Sequence, residues 1–236
     1  MSVRRITRFL GAVTVAAGAV LLGAAVPSAF AQPCPDVQVV FARGTGEPPG
    51  VGGVGQAFID SVRAQSGGKS VDVYAVDYPA SSEFADQLAF AGTVVDGIRD
   101  ANTHIQSTAA NCPATRIVLG GYSQGAVVAG FVTSAEVPAG VPAEYGSSIP
   151  KPMPPEVANH VAAVALIGKP SDAFLRDYGA PPIVIGPAYV AKTIEKCAPG
   201  DTICDGTAGG GPTIAHAMYA MNGMVDEAAA FSAGRL

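Results

Sequence analysis

The chain has 236 residues and a net charge of −5, with 49% of its residues hydrophobic and 14% charged. That balance supports a sizeable core and excludes a mainly disordered chain, which needs few apolar residues and much charge. No basic stripe occurs beyond residue 10, so the cationic face a nucleic-acid binder needs to displace counterions is missing.

Residues 1–31 read as an export signal. Arg4, Arg5 and Arg8 make a basic start, an apolar stretch runs from Phe9 to Val26, and Ala29-Phe30-Ala31 after Pro27 fits a small-x-small cleavage site. The rival is a membrane anchor, but the stretch is weakly hydrophobic, and the cleavage site stands where an anchor would continue. Cys34 follows Ala31-Gln32-Pro33 rather than the Ala-rich run itself, which argues against lipid attachment. Cleavage removes three arginines and no acid, taking the charge from −5 to −8. One acidic, secreted domain over 32–236 is expected, monomeric and without stable membrane insertion.

Five runs are rich in Val and Ile without alternation: Val37–Ala42, Val71–Val76, Arg116–Leu119, His160–Ile167 and a weaker one near Val190–Lys196. Such runs predict strands buried on both faces, as in a parallel sheet. Helical spacing predicts helices over Gln56–Ala64, Phe84–Ala110 and Gln124–Val132, and one that carries Met218, Met221, Val225 and Ala228 on one face. Strand–helix alternation gives an α/β fold with a doubly wound, mainly parallel sheet. Gly- and Pro-rich loops fall at Gly44–Gly53, Val137–Pro155 and Gly206–Pro212. Chemistry in such folds sits at the carboxyl ends of the strands.

Four cysteines, Cys34, Cys112, Cys197 and Cys204, follow the export segment. An even count in an exported chain implies two disulfides, and four cysteines allow three pairings. The short local loop favours Cys197 with Cys204, leaving Cys34 with Cys112. No CxxC or CxxH spacing supports a zinc site.

Gly121-Tyr122-Ser123-Gln124-Gly125 matches G-x-S-x-G. An apolar strand enters it and a helix-compatible stretch leaves it, the context of a sharp turn that lifts the serine hydroxyl above the sheet. The turn also aims a helix N-terminus at the reacting centre, where negative charge is stabilised. The bland alternative is a Gly-rich strand end with a capping serine.

A weakly nucleophilic hydroxyl needs a base, usually His, and the chain has three. His104 precedes Ser123, against the order Ser, acid, His of strand–elbow–helix hydrolases, and its polar helical stretch predicts a surface position. His160 opens a strand at its amino end, away from Ser123. His216, after the last strand, is the expected base. Asp172, Asp177, Asp201 and Asp205 qualify by order as its partner. Asp201 is favoured because a disulfide across Cys197–Cys204 would hold its carboxylate rigid against the imidazole.

The oxyanion of acyl transfer needs two donors. The Gln124 N–H follows the nucleophile, and Thr45, in the loop after the first strand, offers a second. The same loop, Gly44-Thr45-Gly46…Gly50 with Asp77 further on, also reads as a dinucleotide fingerprint. Pro48 and Pro49 oppose that, because a residue before proline avoids helical geometry.

These segments resemble the cutinase family, closely its mycobacterial and actinobacterial secreted serine esterases. The matching stretches are Val39–Thr45, Tyr74–Ala80, Gly120–Gly125, Cys197–Cys204 around Asp201, and His216. The resemblance implies a lidless α/β-hydrolase with five parallel strands and a Ser123, Asp201, His216 triad. It also implies oxyanion donors Thr45 and Gln124, disulfides Cys34–Cys112 and Cys197–Cys204, and no cofactor. It implies hydrolysis of short- to medium-chain carboxylic esters, in some members lipids or polyesters. Fungal polyester-acting members carry apolar side chains just before the catalytic His; here Gly206–Pro212 stands instead, implying a less apolar rim. Two other functions fit the residues: acyl transfer to an alcohol through the same acyl-enzyme, and a non-catalytic binding protein on a hydrolase scaffold.

Overall fold

The computed structural model describes residues 33–139, 141 and 146–236. The export segment read over 1–31, and residues 140 and 142–145 of the Val137–Pro155 loop, lie outside them. Five strands form, β1 Val37–Ala42, β2 Val71–Ala75, β3 Arg116–Tyr122, β4 Val161–Ile167 and β5 Thr193–Lys196. All neighbours pair in parallel, in the order β2-β1-β3-β4-β5. Helices α1 Gly52–Gln65, α2 Gln87–Asn111, α3 Gln124–Val132, α4 Asp172–Asp177, α5 Pro187–Val190, α6 Ile214–Ala217 and α7 Met224–Ala233, with a 3-10 turn at Pro155–Asn159, complete the described elements.

Every residue of β1 and β4 is buried because each strand faces two cores. Val37, Val39 and Phe41 pack with Phe58 and Val62 of α1 and with Val225 and Ala228 of α7. Val40 and Ala42 face the opposite way, toward Val94 and Ile98 of α2 and Val127 and Val128 of α3. The period-two alternation of a strand thus feeds two apolar layers at once.

The strand order reverses between β1 and β3, the point at which an open parallel sheet leaves a crevice beyond its carboxyl ends. Thr45 follows β1 and Ser123 follows β3, so both reach that crevice. The opposite pole is tied by Cys34–Cys112, S–S 2.03 Å, just ahead of β1 and β3. The second disulfide, Cys197–Cys204, lies just beyond β5.

Several boundaries differ from those predicted. α1 begins four residues earlier, at Gly52, because Glu47 Oε1 accepts the Gly53 N–H at 2.8 Å. β3 runs on to Tyr122. The weak strand near Val190 starts only at Thr193, since Pro187 opens a short helix that ends at Val190. The stripe Met218–Ala228 is not one helix. Gly223, at φ +83°, separates α6 from α7, and Met221 is 71% exposed. His104 is half-buried rather than on the surface, its ring stacked on Tyr74 at 3.4 Å with Nε2 2.9 Å from Gln38 Oε1. Among the described residues no helix is long and apolar enough to cross a membrane.

Candidate active site

Ser123 sits at φ 53°, ψ −118°, between the last residue of β3 and the first of α3. Among the described residues, Ala80 is the other non-glycine with positive φ, and it too lies at this site. The turn at Ser123 needs bare neighbours. A Cβ on Gly121 would stand 2.0 Å from Gly125 O, and one on Gly125 would stand 1.9 Å from Ala42 O. The two glycines of the motif therefore let the elbow close on itself and on the end of β1. The Ser123 N–H still donates to Ile167 O at 2.9 Å, extending the β3–β4 ladder into the turn.

The serine is 8% exposed, and its Oγ lies 2.8 Å from His216 Nε2. His216 Nδ1 lies 2.8 Å from Asp201 Oδ2. Asp201 is fully buried in the loop closed by Cys197–Cys204. Its carboxylate also takes the Ile203 N–H at 3.1 Å and the Tyr219 hydroxyl at 2.6 Å. Three distant segments thus meet in one line: serine hydroxyl, imidazole, carboxylate.

The other candidates do not join it. His160 is half-buried just ahead of β4, at that strand's amino end, and His104 is engaged with Tyr74 and Gln38 on the β2 side of the sheet. Asp172 and Asp177 open and close α4 with exposed side chains. Asp205 is exposed and accepts the Thr207 N–H at 2.9 Å, a bond that holds its carboxyl below the usual range. The dinucleotide reading requires a helix opening at Gly46; the helix opens at Gly52 instead.

The loop carrying Thr45 is fixed from several sides. Glu47 Oε2 accepts the Gly44 N–H at 2.6 Å while its other oxygen holds Gly53. Gly46 N–H donates to Ala80 O at 2.7 Å. Arg43 is 3% exposed; its Nε donates to Glu47 O at 2.8 Å and its Nη2 to Tyr78 O, and the Tyr78 hydroxyl donates to Arg43 O. Burial pushes the Tyr78 hydroxyl well above the ordinary tyrosine range, so it stays a donor. Gln124 is 4% exposed, with Nε2 on Ser81 O at 3.1 Å, and its backbone N–H stands at the open N-terminus of α3.

Two tyrosines were not singled out from the sequence. Tyr122 donates to the His216 carbonyl at 2.6 Å and lays its ring 5.1 Å from the imidazole, centre to centre. Burial, with Glu47 and Asp201 nearby, pushes its pKa to about 12. Tyr219 is fully buried behind Asp201. It stands three residues after His216, in the turn just beyond α6. The rim also differs from the reading of Gly206–Pro212 taken alone. Ile214, two residues before His216, is 80% exposed, and Phe84 and Tyr178 meet at 5.3 Å with each 36% exposed.

A model of the family described as Cutinase matches residues 33–236. The chain is 60% identical over 173 residues to the Mycobacterium tuberculosis protein named "Probable carboxylesterase Culp7", covering 73% of this chain and 89% of that one. It is 47% identical over 241 residues to "Carboxylesterase Culp1" of the same species, covering 100% and 98% of the two chains. Among solved structures it resembles the Trichoderma reesei cutinase in complex with a C11Y4 phosphonate inhibitor. There the identity is 34%, the TM-score 0.61, and the match covers 86% of this chain and 77% of that one.

Proposed function

The chain belongs to the cutinase family and is a serine esterase that hydrolyses carboxylic esters; we propose that Ser123, His216 and Asp201 carry the reaction, with Thr45 and Gln124 as oxyanion donors. The observation that supports this is the unbroken line from Ser123 Oγ through His216 to Asp201 Oδ2, each step 2.8 Å. Ser123 Oγ attacks the ester carbonyl while His216 Nε2 takes its proton. The carbonyl oxygen becomes an anion facing the Gln124 and Thr45 N–H groups. The tetrahedral adduct collapses, His216 returns the proton to the departing alcohol, and an acyl-Ser123 ester remains. Water, losing a proton to His216, attacks that ester; Ser123 recovers its hydrogen and the acid departs. Asp201 holds the imidazole in the tautomer with Nδ1–H and stabilises the imidazolium.

The preferred substrates are short- to medium-chain esters, lipids and polyesters being the extensions that the exposed Ile214, Phe84 and Tyr178 favour. The enzyme acts as a secreted monomer comprising 32–236 after loss of 1–31, a reading supported by the basic-then-apolar start and by two disulfides. Ser123→Ala should abolish turnover of a p-nitrophenyl ester series and covalent labelling by a fluorophosphonate. Near-native turnover in that variant would refute the assignment, and secreted protein whose first residue is not Gln32 would refute the processing site.

A further inference from the structure

Tyr219 lies three residues after His216, and its hydroxyl is committed on both sides. The oxygen accepts the Ala198 N–H at 2.9 Å, which leaves the phenolic proton for Asp201 Oδ2 at 2.6 Å. That is the same oxygen that receives His216 Nδ1. Asp201 is fully buried, so among the described residues its charge is met by the imidazole, the Ile203 N–H and this phenol. The Cys204 sulfur stands 3.1 Å from Oδ2, but a disulfide sulfur has no proton to give.

We propose that Tyr219 is a positioning residue of the esterase centre: by sharing Asp201 Oδ2 with the imidazole, it fixes the direction of the carboxylate and moderates how tightly that charge holds the imidazolium. The inference rests on the reading of Ser123, His216 and Asp201 given above. Hydrogen bonds to an anion spread its charge, so a carboxylate with one donor fewer attracts a neighbouring cation more strongly. Burial, followed by the bond to Asp201, holds the phenol well above the ordinary tyrosine range, so it donates throughout neutral pH. Space for the arrangement is provided by Gly168, at the end of β4. At φ +58° it carries no Cβ, and one placed there would stand 2.9 Å from Tyr219 Cε2 and 3.2 Å from His216 Cε1.

The test is a pH–rate profile of Tyr219→Phe on p-nitrophenyl butyrate, beside wild type and Ser123→Ala. The variant should lose about 10-fold in kcat with KM changed less than about 2-fold, while still taking the fluorophosphonate label. The acidic limb of its kcat/KM profile should move to higher pH by about half a unit or more, because the less-shared carboxylate holds the imidazolium longer. A Tyr219→Phe enzyme with the wild-type kcat and acidic limb overturns the proposal. If the variant melts early, 3-fluorotyrosine placed at 219 decides instead. Its more acidic phenol donates more strongly and should move the limb to lower pH, and an unmoved limb overturns the proposal. Ser123→Ala separates the two levels: activity retained there removes the underlying reading, whereas activity lost there with an unaltered Tyr219→Phe removes Tyr219 alone.

Discussion

Gly125 touches the Ala42 carbonyl so closely that a methyl group on it would stand 1.9 Å from the oxygen. The contact joins the elbow after β3 to the loop after β1, and so joins Ser123 to Thr45. Gly125→Ala must push the two apart. Displacements of about 1 Å at a reacting centre cost about 100-fold in rate, and overpacking costs about 1–3 kcal/mol of stability. Both losses are expected, read as kcat/KM and as a urea midpoint. A variant with the native kcat/KM would show that the close approach is dispensable.

Asp201→Asn keeps the shape of the buried side chain but removes its charge. An amide nitrogen turned toward the imidazole favours the wrong tautomer, and kcat should fall about 10⁴-fold. Ester hydrolysis measured on protein with an unchanged circular dichroism spectrum checks this. A loss below 10-fold would indicate that another group orients His216.

The two disulfides should separate stability from turnover. On the chain-entropy account, the bond spanning 78 residues is worth about 4.5 kcal/mol and the one spanning 7 about 2.5 kcal/mol. Cys34→Ser with Cys112→Ser should lower the denaturation midpoint while leaving the turnover of still-folded enzyme intact. Cys197→Ser with Cys204→Ser should lower kcat where the fold persists, because it frees the loop that holds Asp201. The reverse pattern would place the rigidity of Asp201 elsewhere.

His104 gives the fold a pH dependence of its own. Burial holds its pKa below the ordinary 6.5, outweighing the pull of Asp100 and Asp72 in the other direction. The unfolded chain therefore takes up this proton more readily than the folded one. Stability from this group is present above 6.5 and is lost as pH falls below that value through the lower folded pKa. His104→Gln should flatten the fall in denaturation midpoint between about pH 7 and pH 5. Parallel slopes for variant and wild type would exclude His104 as the source.

β1 and β4 were legible in the sequence because both their faces are buried, so apolar residues run on with Gln38 as the one polar interruption. β3 was legible only as far as Leu119. Gly120 and Gly121 look like a strand ending, yet they extend it because a Cβ at 120 would meet the Phe41 ring at 2.7 Å and one at 121 the Gly125 carbonyl. The start of α1 was hidden for a related reason. Gly52 and Gly53 are poor helix formers, and the helix begins there because a carboxylate from Glu47 occupies the space beside them. That Ser123, His216 and Asp201 come together could be read from chain order and from the cysteines around Asp201. Tyr219 could not. Its neighbours Met218 and Met221 suggested one apolar stripe, and nothing local marked its hydroxyl as the partner of a carboxylate 18 residues away.

Cys34 precedes β1 at the amino ends of β1 and β3, the far end of both strands from Ser123. Anything fused ahead of it, whether a resin, a carrier protein or a cell-surface display tag, grips the enzyme by its heel. The end of the sheet that carries Ser123 is then left clear of the attachment.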